Sequence, residues 1–220
     1  MAPVLSAADH AFFEANGYLV VRAAVPAGQC AATVDALFDF LGMDPHDPSD
    51  WARPPLTGTV PMETHPTVWA NRLAPRLYRA FAELWGTEAL VVSRDRILFK
   101  QPGVEKGFLH WDWGGFDKAE VRRHPWYKLQ GMLALTDTSE EQGGFHCVPG
   151  VHRRLDEFFV NQPKLTDPAL TSSANSLRDI DEEALAEIGL RVQRVPLRQG
   201  DCVIWHHLTL RECSNGRLRL

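Results

Sequence analysis

Near residue 89 the hydrophobic period of this chain changes, and that change constrains the fold more than any single motif does. Before it, apolar residues recur at helical spacing: Val34, Leu37, Phe38 and Leu41 form one stripe, and Leu73, Leu77, Ala80, Phe81 and Leu84 another. Apolar groups at i, i+3, i+4 and i+7 mark amphipathic helices packed on a core. After it come short runs rich in β-branched and aromatic residues, cut by Gly, Pro and Asp. Helices first and strands later predict an α+β protein whose β part is a barrel or a sandwich. The chain has 220 residues, which fits one domain with a sizeable core. That domain divides into a helical part, residues 1–86, and a strand-rich part, residues 89–220.

Local signals place the elements. Ser6 with Asp9 three residues on predicts a capped helix through Ala11, Phe12 and Ala15, ended by Asn16-Gly17. Tyr18 to Val21 reads as a strand, Pro26 to Gly42 as a second helix, and Trp69 to Trp85 as a third closed by Gly86. Between the last two, Asp44 to Pro66 is a Pro- and Asp-rich loop whose His46 and His65 are solvated. Strands are expected at Leu90–Ser93, Ile97–Lys100, Phe108–Trp113, Lys128–Leu135, Phe145–Val148, Arg191–Val195 and Cys202–Trp205. Leu155 to Gln162 is a helical turn, and residues 164–187 form a polar insertion with one short acidic helix.

Composition removes several function classes. The net charge is -5 without a basic block, so a nucleic-acid surface is not expected. No apolar run spans a bilayer, and the first nine residues lack the pattern of a secretory signal. Cys30, Cys147, Cys202 and Cys213 lie far apart with no CxxC pair, which predicts reduced thiols and a cytoplasmic protein.

Chemistry concentrates in Phe108-Leu109-His110-Trp111-Asp112-Trp113-Gly114-Gly115. On an extended backbone i and i+2 project to one face, so His110 and Asp112 point together. An imidazole beside a carboxylate supplies two of the three ligands of a facial non-heme Fe(II) site. A zinc hydrolase would also use such residues, but no HExxH-type motif is present. Trp111, Trp113 and Trp126 either face a flat, apolar ligand or pack the mouth of the β structure.

Four segments stand in order: Lys100-Gln101-Pro102-Gly103, His110-Trp111-Asp112, the run from Gly143 to Arg153 (GGFHCVPGVHR), and the run from Gly200 to His206 (GDCVIWH). Together they resemble the phytanoyl-CoA dioxygenase family of Fe(II)- and 2-oxoglutarate-dependent oxygenases, over nearly the whole chain. The resemblance implies a double-stranded β-helix (jelly roll) with the N-terminal helices packed outside. It implies Fe(II) as cofactor, 2-oxoglutarate and O2 as cosubstrates, and hydroxylation of a small organic substrate. His110 and Asp112 match the first two iron ligands, and Gln130 lies on a strand that lines the cosubstrate pocket in such proteins.

The carboxyl end departs from the family pattern. A straight count from His206 puts Arg211 where the family carries its third, histidine ligand, and arginine cannot coordinate a metal. Two arrangements follow. In one, a shortened loop lets His206 or His207 serve as ligand, His206 being favoured, while Arg219 (or Arg217) pairs with the cosubstrate carboxylate. In the other, the site is incomplete and the chain is a catalytically silent homologue that binds a small molecule without turnover. The count also leaves the family's last strand missing, with a sheet edge uncovered.

Overall fold

The computed structural model describes residues 3–52, 58–92, 95–99, 109–111, 129–141, 143–162 and 180–215. Helix α1 (Ala7–Asn16) begins at the capping box expected from Ser6 and Asp9 and ends at Gly17. Strand β1 (Tyr18–Val21) leads to α2 (Ala27–Leu41) and a short β2 (Thr59–Val60). The single helix expected over 69–85 is two, α3 (Pro66–Arg72) and α4 (Pro75–Trp85). The break has a plain cause: Pro75 has no N–H to give and its ring clashes with the preceding turn, so it starts a helix rather than continuing one. Glu83 on α4 ties down the amino end, accepting from the N–H groups of Val4 and Leu5 at 2.8 and 2.9 Å.

The strands continue with β3 (Ile97–Leu98), β4 (Leu129–Leu133) and β5 (Gly143–Cys147). Residues 90–92 are irregular, not the strand expected there. Helices α5 (Leu155–Asn161) and α6 (Glu182–Glu187) flank the polar insertion, of which residues 163–179 lie outside the described set. A reciprocal amide pair joins its two ends: Gln162 donates to the carbonyl of Asp181 at 2.9 Å and accepts from its N–H at 3.1 Å. Strands β6 (Gln193–Val195), β7 (Cys202–His206) and β8 (Arg211–Asn215) complete the described chain. Strand β8 pairs with β5 over five residues and is itself the edge of its sheet among the described strands.

Two antiparallel three-stranded sheets, β1-β7-β4 and β6-β5-β8, carry the β part; among the described strands they do not close into a barrel. Strand β1 from the helical part pairs with β7 from the strand-rich part, so the two parts share one sheet. Strand β7 is apolar along its length because both of its faces are covered. Cys202 and Ile204 join the cluster containing Leu77 and Ala80 of α4 and Leu19 of β1. Val203 and Trp205 project the other way, into a layer with Phe145, Cys147 and Val195 of the second sheet. On β4 the helix comes so close that a Cβ on Gly131 would meet the Phe81 ring at 2.7 Å. Among the described residues no helix is long and apolar enough to cross a membrane.

Candidate functional site

The site is built at one end of the layer between the sheets. Strand alternation decides which side chains reach it. On β7 Trp205 enters the layer, its ring centroid 4.9 Å from that of Phe145. On β4 Gln130 lies opposite Trp205 in the register, and its Oε1 accepts from the indole Nε1 at 2.8 Å. On β8 Arg211 lies opposite Cys147, a residue of the same layer, and its Cζ stands 5.2 Å from the centre of the Trp205 ring. Arg211 is 9% exposed.

His110 completes the row. Its backbone bridges to Arg211, the N–H of His110 donating to the Arg211 carbonyl at 2.8 Å and the return bond measuring 3.2 Å. Leu109 and Trp111 on either side turn into a core cluster with Phe158 and Leu210, which leaves His110 on the opposite face, as extended backbone requires. Trp111 is therefore a core residue: its Nε1 donates to the Leu208 carbonyl at 2.9 Å and its ring meets Phe158 edge-on. Of the two roles open to it, Trp111 takes the packing one. Asp112, Trp113 and Trp126 lie outside the described residues, as does Arg219.

The contact that defines the site is between side chains. Nη1 of Arg211 lies 2.6 Å from Nε2 of His110. A guanidinium can only donate, so Nε2 is the acceptor and its lone pair points at the cation. Gln130, Trp205, Arg211 and His110 thus form one continuous string of contacts. Sequence reasoning named the first and last of these as site residues and missed the role of Trp205. The sequence of CVIWH shows that the tryptophan alternates with Cys202 and Ile204, but only the structure shows which of the two sets faces the helices.

His206 does not join this string. It stands at the end of β7 with the rings of His152 and His207 as neighbours, while Trp205 faces Arg211. Its N–H donates to the Gly17 carbonyl at 2.8 Å and its Nδ1 accepts from the Leu208 N–H at 3.1 Å. The chain turns immediately after it, so His206 and His207 do not diverge as strand neighbours would; their ring centroids are 4.4 Å apart. His152 stands beside them, its ring 5.5 Å from His206, and burial pushes its imidazole pKa below the ordinary value. The side chain that approaches Nε2 of His110 is that of Arg211. The physical reason is register, since β8 is pinned to β5 from Cys147 to Gly143.

The phytanoyl-CoA dioxygenase family model matches residues 13–211, about nine tenths of the chain. The chain belongs to the phytanoyl-CoA dioxygenase family. That family uses Fe(II) and 2-oxoglutarate. A Dictyostelium discoideum protein named for the same family is 23% identical over 243 aligned residues, which cover 89% of this chain and 67% of that protein. Among solved structures, the non-heme α-ketoglutarate-dependent carbocyclase SnoK of nogalamycin biosynthesis superposes with a TM-score of 0.61 at 20% identity, over 99% of this chain and 81% of that one. HygX of Streptomyces hygroscopicus, solved with nickel and 2-oxoglutarate bound, gives 0.56 at 16% identity, over 98% and 82%. At such identities these likenesses show the fold.

The described donors can be tested against a ferrous ion. A facial site needs two imidazoles and a carboxylate turned to one point. Among the described residues no group of three or more His, Cys, Asp or Glu side chains is placed to hold a metal. The Nε2 lone pair of His110 already accepts from Arg211, and one lone pair cannot serve a proton donor and a metal together. The described residues therefore supply His110 but not the full donor set, and Asp112 lies outside them.

Proposed function

We propose that this chain is a double-stranded β-helix oxygenase that takes a small organic substrate together with 2-oxoglutarate and O2, with His110 and Asp112 as its metal ligands. The observation that carries the reading is the convergence of His110, Arg211, Trp205 and Gln130 at one end of the inter-sheet layer, within the span matched by the family. Gln130 would orient a carboxylate through its amide, and the Trp205 ring would floor the pocket and exclude water. Arg219 stands as the proposed partner for the distal carboxylate of the cosubstrate, through the bidentate geometry arginine offers. Buried free thiols at Cys30, Cys147 and Cys202 support a reducing, cytoplasmic setting.

A second reading is favoured by one specific observation, the guanidinium of Arg211 on Nε2 of His110. On that reading the chain binds a small carboxylate and does not oxidise it. Succinate formation separates the two. Wild-type protein supplied with Fe(II), ascorbate, 2-oxoglutarate and O2 should form succinate even without its substrate, and Asp112→Ala should abolish it. Stoichiometric 2-oxoglutarate binding with no succinate above the protein-free rate would select the second reading.

A further inference from the structure

The family reading places a cation at His110, and the structure already holds one there. We propose that Arg211 is a built-in competitor for the metal: by donating to Nε2 of His110 it keeps the imidazole out of coordination, so a divalent ion loads only by displacing the guanidinium. The inference rests on His110 being a metal ligand.

Four observations carry it. The contact is short, 2.6 Å between Nη1 and Nε2. It is not a chance meeting of long side chains, because the two backbones are bridged by a reciprocal pair of hydrogen bonds that fixes their Cα atoms opposite each other. Arg211 is buried, and the Trp205 ring bounds it on one side. Finally, the register of β8 on β5 sets Arg211 opposite Cys147, so the guanidinium enters the layer between the sheets. A divalent ion approaching Nε2 meets both an occupied lone pair and a like charge, and arginine stays charged at any working pH.

The test is calorimetric titration of Ni(II) into the full-length apo protein, a readout that needs no turnover. Arg211→Met keeps comparable bulk and removes the donor and the charge. It should bind Ni(II) about tenfold more tightly than wild type or better, the worth of one charge-assisted hydrogen bond expressed as affinity. Arg211→Lys, which keeps the charge, should recover less than half of that gain on a logarithmic scale. His110→Ala placed on Arg211→Met should erase the gain. Arg211→Gln serves as a second variant if the methionine protein does not fold, with the urea midpoint recorded for each. Unchanged or weaker Ni(II) binding in the folded Arg211 variants, with wild-type binding still dependent on His110, would overturn the competitor and leave the metal reading standing. Titrations indifferent to His110 in both backgrounds would overturn both.

Discussion

Asp201 and Arg211 flank the same stretch of chain, both are buried, and they carry opposite charges for different ends. Asp201, 3% exposed, stands just before β7 and is saturated by donors. One oxygen accepts from the Ala23 N–H at 2.9 Å, the other from the Arg198 N–H at 3.0 Å and from Arg22 at 2.6 Å. Burial pushes the carboxyl upward, yet the Arg198 and Ala23 N–H groups and the Arg22 guanidinium together hold it below its ordinary range. Gly200 beside it takes φ +88, and a Cβ there would run into the Val25 carbonyl, so this turn is built by backbone contact. Arg211 meets instead a lone pair that a metal would want. One end of β7 is invested in scaffold, the other in the site.

The widest separation should appear in stability. Asp201→Ala leaves the Ala23 and Arg198 N–H groups and the Arg22 guanidinium without their acceptor and should cost about 2–4 kcal/mol in urea unfolding, whereas Arg211→Met should cost less than half as much. Equal losses would erase the contrast. The order should invert in the metal titration, where Arg211→Met raises Ni(II) affinity and Asp201→Asn leaves it at the wild-type value.

The acid limb sharpens the comparison further. Because the Asp201 pKa is lowered in the folded protein, its contribution is fully present above the unfolded carboxyl value of about 4 and is lost as pH falls through the folded one. Stability of wild type should therefore decline below about pH 4 more steeply than that of Asp201→Asn. A parallel decline would remove Asp201 from the acid transition.

Two smaller effects probe the site end. Gln130→Ala deprives the Trp205 indole of its acceptor and should cost about 1 kcal/mol, with a change in tryptophan fluorescence. His206→Ala should leave Ni(II) affinity within about twofold of wild type, since its Nδ1 already accepts from the Leu208 N–H and its ring packs on His207. A loss comparable to that of His110→Ala would return His206 to the metal.

Much of this was legible beforehand. The Ser6–Asp9 capping box, β1, α2 and β7 follow from caps and periodicity, which are local properties of the chain. The break at Pro75 was missed, because the apolar stripe runs across it, although a proline inside such a stripe marks a start. Strand β8 was not legible: Arg-Glu-Cys-Ser-Asn has little β propensity, and only the partner β5 makes it a strand.

For the site, the residues and their order determined the family and the candidate ligands, because HxD and the glycine-bounded segments are chemistry written at fixed spacing. Which side chain faces His110 was decided only in three dimensions. A strand shows its parity relative to a neighbour and never by itself, and hydrogen bonding of β8 to β5 turned Arg211, rather than His206, toward the imidazole.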